Sequence, residues 1–538
     1  MVFPIFSLLA LSLVVPLIVA YPNCSVEGAY PTAIIASGTI VGTTTQPSSP
    51  TATVNKYLGI PFAQSPPIRF SPPENPLPWN SPLNATEFKP ACIQQFMSIS
   101  ILTRLLLNAT DVCSDDEFGK IFNNPPLPES EDCLYLNVFA PGGSVPGADK
   151  PVMFWIHGGS FQLGSASVPE YDGSVIAAQH DVIVVTTNYR TNVFGFPASP
   201  QIALEQRNLG FMDQRQALTW VTKNIRAFGG DPSKVTVFGE SSGGYSVKQL
   251  LANPPSPLQF RAAIMQSQAL GDQGDGDKSW AALADDLGCN STTSGISQLE
   301  CMRSSPADQI RAILNSGTLG FPPAVDNKTN NGNFEAAINA HTVANVPILL
   351  GTNADEGTVL TSVMPDSQIL LQNFLGNDTH SQALARAAYP HDATEKELKS
   401  RIVTDYLYTC TTSAIANVLN DANYKVWRYY FNASFPNTQP FPGAGAWHTS
   451  EISLVFGTYP RNYMTTPQQI ELSKFMQHSW ASFAKDPERG PGWTMIEGGK
   501  EDLQVIGANG TSWGQPASIE SVEDICSVYS SAIRIGGL

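Results

Sequence analysis

Short runs of consecutive apolar residues recur along the chain: Val152-Met153-Phe154-Trp155-Ile156, Val182-Ile183-Val184-Val185, Val235-Thr236-Val237-Phe238, Ala262-Ala263-Ile264-Met265 and Val346-Pro347-Ile348-Leu349-Leu350. Runs of this length that are apolar on both faces suit strands covered on each side. Between the second and third, Leu218, Val221, Ile225 and Phe228 recur at helical spacing until Gly229-Gly230-Asp231-Pro232 ends the pattern. Strand, helix and strand in that order make a parallel crossover. Leu472, Phe475, Met476, Trp480 and Phe483 predict a second amphipathic helix, stopped at Asp486-Pro487. The pattern therefore predicts an α/β protein with a large, mostly parallel sheet and helices on both faces. Residues 66–131, Pro-rich and irregular, and residues 290–345, rich in Ser, Asn and Gly, read as long insertions over the sheet. No linker separates domains, so residues 21–538 read as one domain.

Leu8 to Val19 is apolar and of signal-peptide length, and Ala20 precedes a polar, Pro-containing stretch. Residues 1–20 thus read as a secretory signal, although Met1-Val2-Phe3-Pro4 carries no Lys or Arg. No later segment is apolar enough for a transmembrane anchor, so a secreted, extracellular product is expected. Of the 538 residues, 42% are hydrophobic and 14% charged, which supports a large core and argues against disorder. The net charge of −16 and the lack of any basic run disfavour nucleic acid as a partner. Eight cysteines in an exported chain favour disulfides, and none forms a C-x-x-C pair, so no metal is predicted. Eight sequons permit glycosylation without establishing it, since composition alone supplies about five. Nothing in the sequence marks an oligomeric state.

The run Val235–Phe238 leads into Gly239-Glu240-Ser241-Ser242-Gly243, and a helical pattern follows through Val247, Leu250 and Leu251. G-x-S-x-G between strand and helix is a nucleophile elbow, in which small flanking residues allow a sharp turn that exposes the serine hydroxyl. The pattern alone arises about 0.3 times by chance in such a chain, so its context carries the inference. An activated serine also needs donors for the oxyanion. The run Val152–Ile156 ends in His157-Gly158-Gly159-Ser160-Phe161, and the backbone N–H groups of Gly159, Ser160 and Ser242 are the candidates. His157, within that loop, reads as a local hydrogen-bonding group. A triad on this plan runs Ser, acid, His. His157 and His180 precede Ser241, His478 lies within the amphipathic helix, and His341, His380 and His391 follow no strand. His448 follows the strand-like Val426–Phe431 and a glycine-containing loop, where the base belongs. For the acid, Asp355 and Glu356 both follow the run ending at Leu350.

The chain resembles the type-B carboxylesterase/lipase family, which includes cholinesterases and secreted fungal lipases. The likeness extends over roughly residues 30–530. It rests on Tyr57-Leu58-Gly59-Ile60-Pro61-Phe62-Ala63, Ser130-Glu131-Asp132-Cys133-Leu134-Tyr135-Leu136-Asn137-Val138, Asn188-Tyr189-Arg190, Asn208-Leu209-Gly210 with Asp213-Gln214, Phe228-Gly229-Gly230-Asp231-Pro232 and the elbow. The resemblance implies an α/β-hydrolase fold with long top-loop insertions. It also implies a Ser241–Glu356–His448 triad, with Glu240 and Glu451 as an acidic layer beside the base and Ser267 linked to it. Carboxylates buried so close together favour a shared proton and raised pKa values. Disulfides Cys92–Cys133 and Cys289–Cys301 follow from the likeness, with Cys410–Cys526 as a third pair and Cys24 and Cys113 left over.

Ser160 and Ser242 depart from the family's commoner Gly and Ala, and their hydroxyls are expected to narrow or polarise the acyl side. Residues 96–107, apolar and inside the Cys92–Cys133 loop, resemble the mobile lid of secreted lipases in the family. That implies bulky or fatty-acyl esters and transient contact with a lipid interface. Cholinesterases of the family place a cation-binding tryptophan in this loop, and the stretch between Cys92 and Cys133 has no Trp, so the resemblance disfavours choline esters. The implied protein is a secreted serine hydrolase of hydrophobic carboxylic esters, working through an acyl-enzyme without metal or cofactor on a small-molecule or lipid ester. A short-chain carboxylesterase is the alternative; a peptidase or amidase and a non-catalytic adhesion relative are readings from other classes.

Overall fold

The computed structural model describes residues 30–47, 52–96, 121–122, 125–269, 274–290, 296–316, 319–361, 364–499, 501–530 and 532–533. The expected signal at 1–20, the lid segment from residue 97 to 107, and Cys24 and Cys113 lie outside them.

Among the described residues eleven strands form the main sheet: β1 Thr43–Thr45, β2 Val54–Pro61, β3 Tyr135–Pro141, β4 Lys150–Ile156, β5 Ile183–Thr187, β6 Gly230–Glu240, β7 Ala262–Gln266, β8 Ile348–Asn353, β9 Val426–Phe431, β10 Leu503–Ile506 and β11 Gly514–Ala517. Their order across the sheet is β11-β10-β9-β8-β7-β6-β4-β5-β3-β2-β1. All pairings from β10 across to β5 are parallel, while β11, β3, β2 and β1 pair antiparallel. A second, three-stranded sheet joins Thr32–Ile35, Gly38–Val41 and Leu83–Asn84.

The period of two sorts the strands' side chains into two cores. Val152, Phe154 and Ile156 of β4 enter one core with Ile183, Val185, Val235 and Val237. Met153 and Trp155 enter the other with Val184 and Phe238. Helix α1 (Leu209–Asn224) covers the first core through Phe211, Ala217, Leu218 and Val221, joined by Tyr245 and Val247 of α2 (Ser242–Ala252). Helix α3 (Pro467–Lys485) covers the second through Leu472, Met476, Trp480 and Phe483. Each fully buried large apolar side chain contributes about 1.5–3 kcal/mol.

Two of the quoted sequence stretches have structural rather than chemical work. Arg190 meets Asp213 in a buried two-pronged ion pair, Nη2 to Oδ1 at 2.7 Å and Nε to Oδ2 at 2.8 Å, tying the end of β5 to α1. Tyr57–Pro61 and Tyr135–Val138 lie on the antiparallel strands β2 and β3.

Among the described residues the disulfides are Cys92–Cys133, Cys289–Cys301 and Cys410–Cys526. The stretch at 290–345, expected as an insertion over the sheet, is partly helical. It holds helices Gln298–Ser304, Ala307–Leu314 and Phe334–Asn339, the first opened by a capping box of Ser297 and Glu300. Polar composition hid Leu299, Met302, Ile310 and Leu314, whose helical spacing buries one face in the first core. Among the described residues no helix is long and apolar enough to cross a membrane.

After β4 the chain steps outward to β5 and then returns to lay β6 on the other side of β4. That reversal leaves a crevice beyond the carboxyl ends of β4 and β6, where ligands bind in open α/β sheets.

Candidate active site

Every expected site residue lies at or beyond the carboxyl end of a parallel strand. Gly159 and Ser160 follow β4, Ser241 and Ser242 follow β6, Ser267 follows β7, Glu356 follows β8, and His448 and Glu451 follow β9. Glu240 is the last residue of β6.

Ser241 has φ 54° and ψ −124°, a conformation L-residues rarely adopt, at the step from β6 into α2. Gly243 permits the sharp turn, since a Cβ there would stand 2.1 Å from the carbonyl oxygen of Ile156 on β4. Gly159 has φ +107°, and a Cβ on it would come within 2.3 Å of the Leu163 carbonyl oxygen. The Gly159 carbonyl accepts from the N–H groups of Gln162 and Leu163, which fixes the loop after β4. Ser160 and Phe161 continue it at φ 54° and 57°.

The hydroxyl of Ser242 turns away from the role expected of it. Its Oγ accepts from the backbone N–H of Phe161 at 3.3 Å, so it staples α2 to the glycine loop. Ser160, Ser241 and His448 line a cavity of about 1130 Å³, whereas Ser242 is fully buried.

His448 Nδ1 lies 2.6 Å from Oε2 of Glu356. The other oxygen of Glu356 accepts from the Ser267 hydroxyl at 2.5 Å and from the Asn353 backbone N–H at 2.7 Å. Asp355, the other acidic candidate, has a different task. Its Oδ2 accepts from the N–H of Ala446 and its own N–H donates to the Ala446 carbonyl, anchoring the loop that delivers His448. Tyr408, from the π-helical turn Thr404–Thr409, packs its ring 4.9 Å from the imidazole.

On the opposite edge of the ring, Nε2 of His448 lies 3.2 Å from Oε1 of Glu240. Burial acts to lower the pKa of His448, but the charges of Glu240 and Glu356 outweigh it and raise the value to about 9. Burial pushes the Glu240 carboxyl well up, with Glu451, Glu356 and Glu170 adding to the rise against the pull of His448. Glu451 is also raised by burial and by Glu356, and is held by the amides of Gln266 at 2.9 Å and Asn353 at 2.6 Å. Ser267 thus serves Glu356, and its neighbour Gln266 serves Glu451.

His157 is buried and stacked on Tyr189, with centroids 4.3 Å apart, and its Nδ1 meets the Gly158 carbonyl at 2.8 Å. Burial lowers its pKa to about 4, so it stays neutral as a local structural group.

Sequence reasoning did not single out Glu170, Asn353, Gln266 or Tyr408. Glu170 stands in the short turn Pro169–Tyr171 and faces the cavity, partly exposed to it. Burial and then the charge of Glu451 raise its carboxyl to about 7. Gln266 and Asn353 end strands β7 and β8, a position that periodicity reports as buried without showing its partners.

No group of three or more His, Cys, Asp or Glu among the described residues is arranged to hold a metal ion. The assembled chemistry is a serine on a strained elbow, a buried imidazole held by a carboxylate, and a glycine loop lining the same cavity.

Residues 29–513 match the sequence model of the Carboxylesterase family. Para-nitrobenzyl esterase of Bacillus subtilis (strain 168) is 37% identical over 466 residues, spanning 80% of this chain and 86% of that one. Chlorogenic acid esterase of Aspergillus niger is 30% identical over 505 residues, spanning 88% and 90%. Acetylcholinesterase of Bungarus fasciatus is 32% identical over 475 residues, spanning 80% and 75%. A solved structure of PNB esterase superposes with a TM-score of 0.73 at 31% identity, covering 93% of this chain and all of that one.

Proposed function

The chain belongs to the carboxylesterase family and is a carboxylic ester hydrolase, and from that premise we propose that it is a secreted enzyme cleaving hydrophobic esters through Ser241, His448 and Glu356. The contact of Glu356 with His448 Nδ1 is the observation that carries the triad, because it fixes which imidazole nitrogen remains to take a proton. His448 Nε2 accepts the proton of Ser241 as its hydroxyl attacks the ester carbonyl. Glu356 orients the ring and stabilises the imidazolium. The oxyanion takes hydrogen bonds from the backbone N–H groups of Gly159, Ser160 and Ser242, donors already fixed before reaction. His448 then returns the proton to the departing alcohol, and water, activated by the same base, releases the acid from the acyl-enzyme.

A bulky acyl group is supported by the cavity's volume and by the apolar side chains of Leu127, Leu163, Leu319, Leu360, Met364 and Leu407 on its walls. Secretion is supported by the disulfides, which persist in oxidising compartments.

The test is hydrolysis of p-nitrophenyl esters from acetate to palmitate, with and without emulsified lipid, by the wild type and Ser241→Ala. Activity that rises with chain length at an interface and is lost in the variant is expected. Ser241-dependent activity confined to short, soluble esters makes the protein a short-chain carboxylesterase. Undiminished activity in Ser241→Ala removes the triad.

A further inference from the structure

Glu356 and His448 stand on separate loops beyond β8 and β9, and one further element reaches both. The run Glu395–Val403, Thr404–Thr409 and Cys410–Asp421 is helical throughout, with the π-helical turn in its middle. Gly357, the residue after Glu356, donates its N–H to Oγ1 of Thr404 at 2.9 Å, and that hydroxyl donates in turn to the Ser400 carbonyl at 2.8 Å. A Cβ on Gly357 would stand 2.2 Å from the same carbonyl oxygen, so the two backbones meet with no side chain between them. Farther along the turn, Tyr408 lays its ring against the imidazole of His448.

The turn is gripped on its other side by the helix Cys526–Tyr529 and by Ala532. Tyr389 donates its hydroxyl proton to Oδ2 of Asp405 at 2.9 Å, which leaves its oxygen to accept from the Tyr529 hydroxyl at 2.7 Å. Tyr406 stacks on Phe374 with centroids 4.2 Å apart, and its hydroxyl donates to the Ala532 carbonyl at 3.3 Å. Cys410, the first residue beyond the turn, is bonded to Cys526. Tyr529 is fully buried. A π-helical turn is rare within a helix and recurs at functional sites.

Resting on the triad reading, we propose that the turn Thr404–Thr409 is a positioning element that holds Glu356 through Thr404 and His448 through Tyr408, and is itself held by Tyr529. Acid and base come from different loops, and proton transfer depends on the 2.6 Å contact between them. Bracing both loops on one turn fixes their separation. Removing the Thr404 hydroxyl leaves the buried N–H of Gly357 without its acceptor and loosens the backbone that carries Glu356. Removing the Tyr529 hydroxyl takes from Tyr389 the donor that sets it against Asp405. Of the turn, only Leu407 and Tyr408 line the cavity, so Thr404 and Tyr529 act on the rate without meeting the substrate.

The test is kcat and KM on p-nitrophenyl butyrate, measured well below the thermal midpoint of each variant. Thr404→Val is expected to lower kcat about fivefold or more with KM within about twofold, and Thr404→Ser to recover most of the loss. Tyr529→Phe is expected to lower kcat about threefold at unchanged KM, and it carries the test should Thr404→Val not fold. In a Glu356→Ala background Thr404→Val is expected to cost less than about twofold, because the acid it places is gone. An unchanged kcat in either variant, whatever its thermal midpoint, overturns the proposal, as does an equal loss with and without Glu356. Failure of the triad reading looks different: Glu356→Ala or Ser241→Ala then keeps the wild-type rate.

Discussion

The hydroxyl of Ser267 donates to Oε1 of Glu356 at 2.5 Å, while the other oxygen of that carboxylate holds the imidazole. The serine, with the Asn353 backbone N–H, thus locks the orientation of the acid. Ser267→Ala leaves Glu356 one donor short and less firmly oriented. We expect kcat to fall about 5- to 20-fold with little change in KM, because the loss touches the transition state and not substrate contacts. Ser267→Thr, which restores a hydroxyl, should recover part of the loss; equal kcat in wild type and Ser267→Ala removes the positioning role.

Glu240 is the largest of the influences that raise His448. Replacing its charge in Glu240→Gln lowers the pKa of the imidazole from about 9 toward its ordinary value. A base that deprotonates at lower pH moves the acidic limb of kcat/KM to lower pH, by about one unit or more. A pH–rate profile on a neutral ester checks this, and an unmoved limb shows that Glu240 carries no charge in the free enzyme.

Glu170 gives a stability prediction with a definite sign. Its folded pKa of about 7 exceeds its ordinary 4.5, so between those values the folded state binds more protons than the unfolded state. Stability contributed by this group therefore falls as pH rises from about 4.5 to 7 and is level above that. Glu170→Gln lacks the titration and should gain on the wild type across that window, by on the order of 1 kcal/mol after allowance for cavity water. Urea midpoints at pH 5 and pH 8 test it; a gap that is constant or widens toward low pH contradicts the assignment.

Ser242→Ala keeps the backbone N–H proposed for the oxyanion but removes the acceptor for Phe161 N–H. The cost is expected in stability, about 1 kcal/mol, with kcat/KM within about fivefold of wild type. A much larger drop in kcat, at unchanged thermal stability, assigns the hydroxyl a direct part in the chemistry.

Much of this was written in local pattern. Consecutive apolar runs mark β4 to β9 because a parallel sheet buries both faces, and the elbow at Ser241 is legible because its tight approach to β4 admits only Gly at position 243. The meeting of His448 with Glu356 was foreshadowed by chain order, which restricts where a histidine after the serine and acid can stand. The antiparallel β2 and β3 were less visible, and the helices within 290–345 were masked by polar faces.

What the sequence by itself determined is the scaffold and the elbow that carries Ser241, since hydrophobic periodicity and backbone sterics act between near neighbours. The resemblance pointed to Glu356 and set Glu240 near the base, but only the tertiary structure decided what each acid touches: Glu356 at Nδ1 of the imidazole, Asp355 on the Ala446 loop, Glu240 across the ring, and Glu170 on the cavity wall. Adjacent carboxylates are chemically alike in the chain. They become different only when folding surrounds each with its own donors, charges and depth of burial, and those neighbours come from strands as far apart in sequence as β4 and β9.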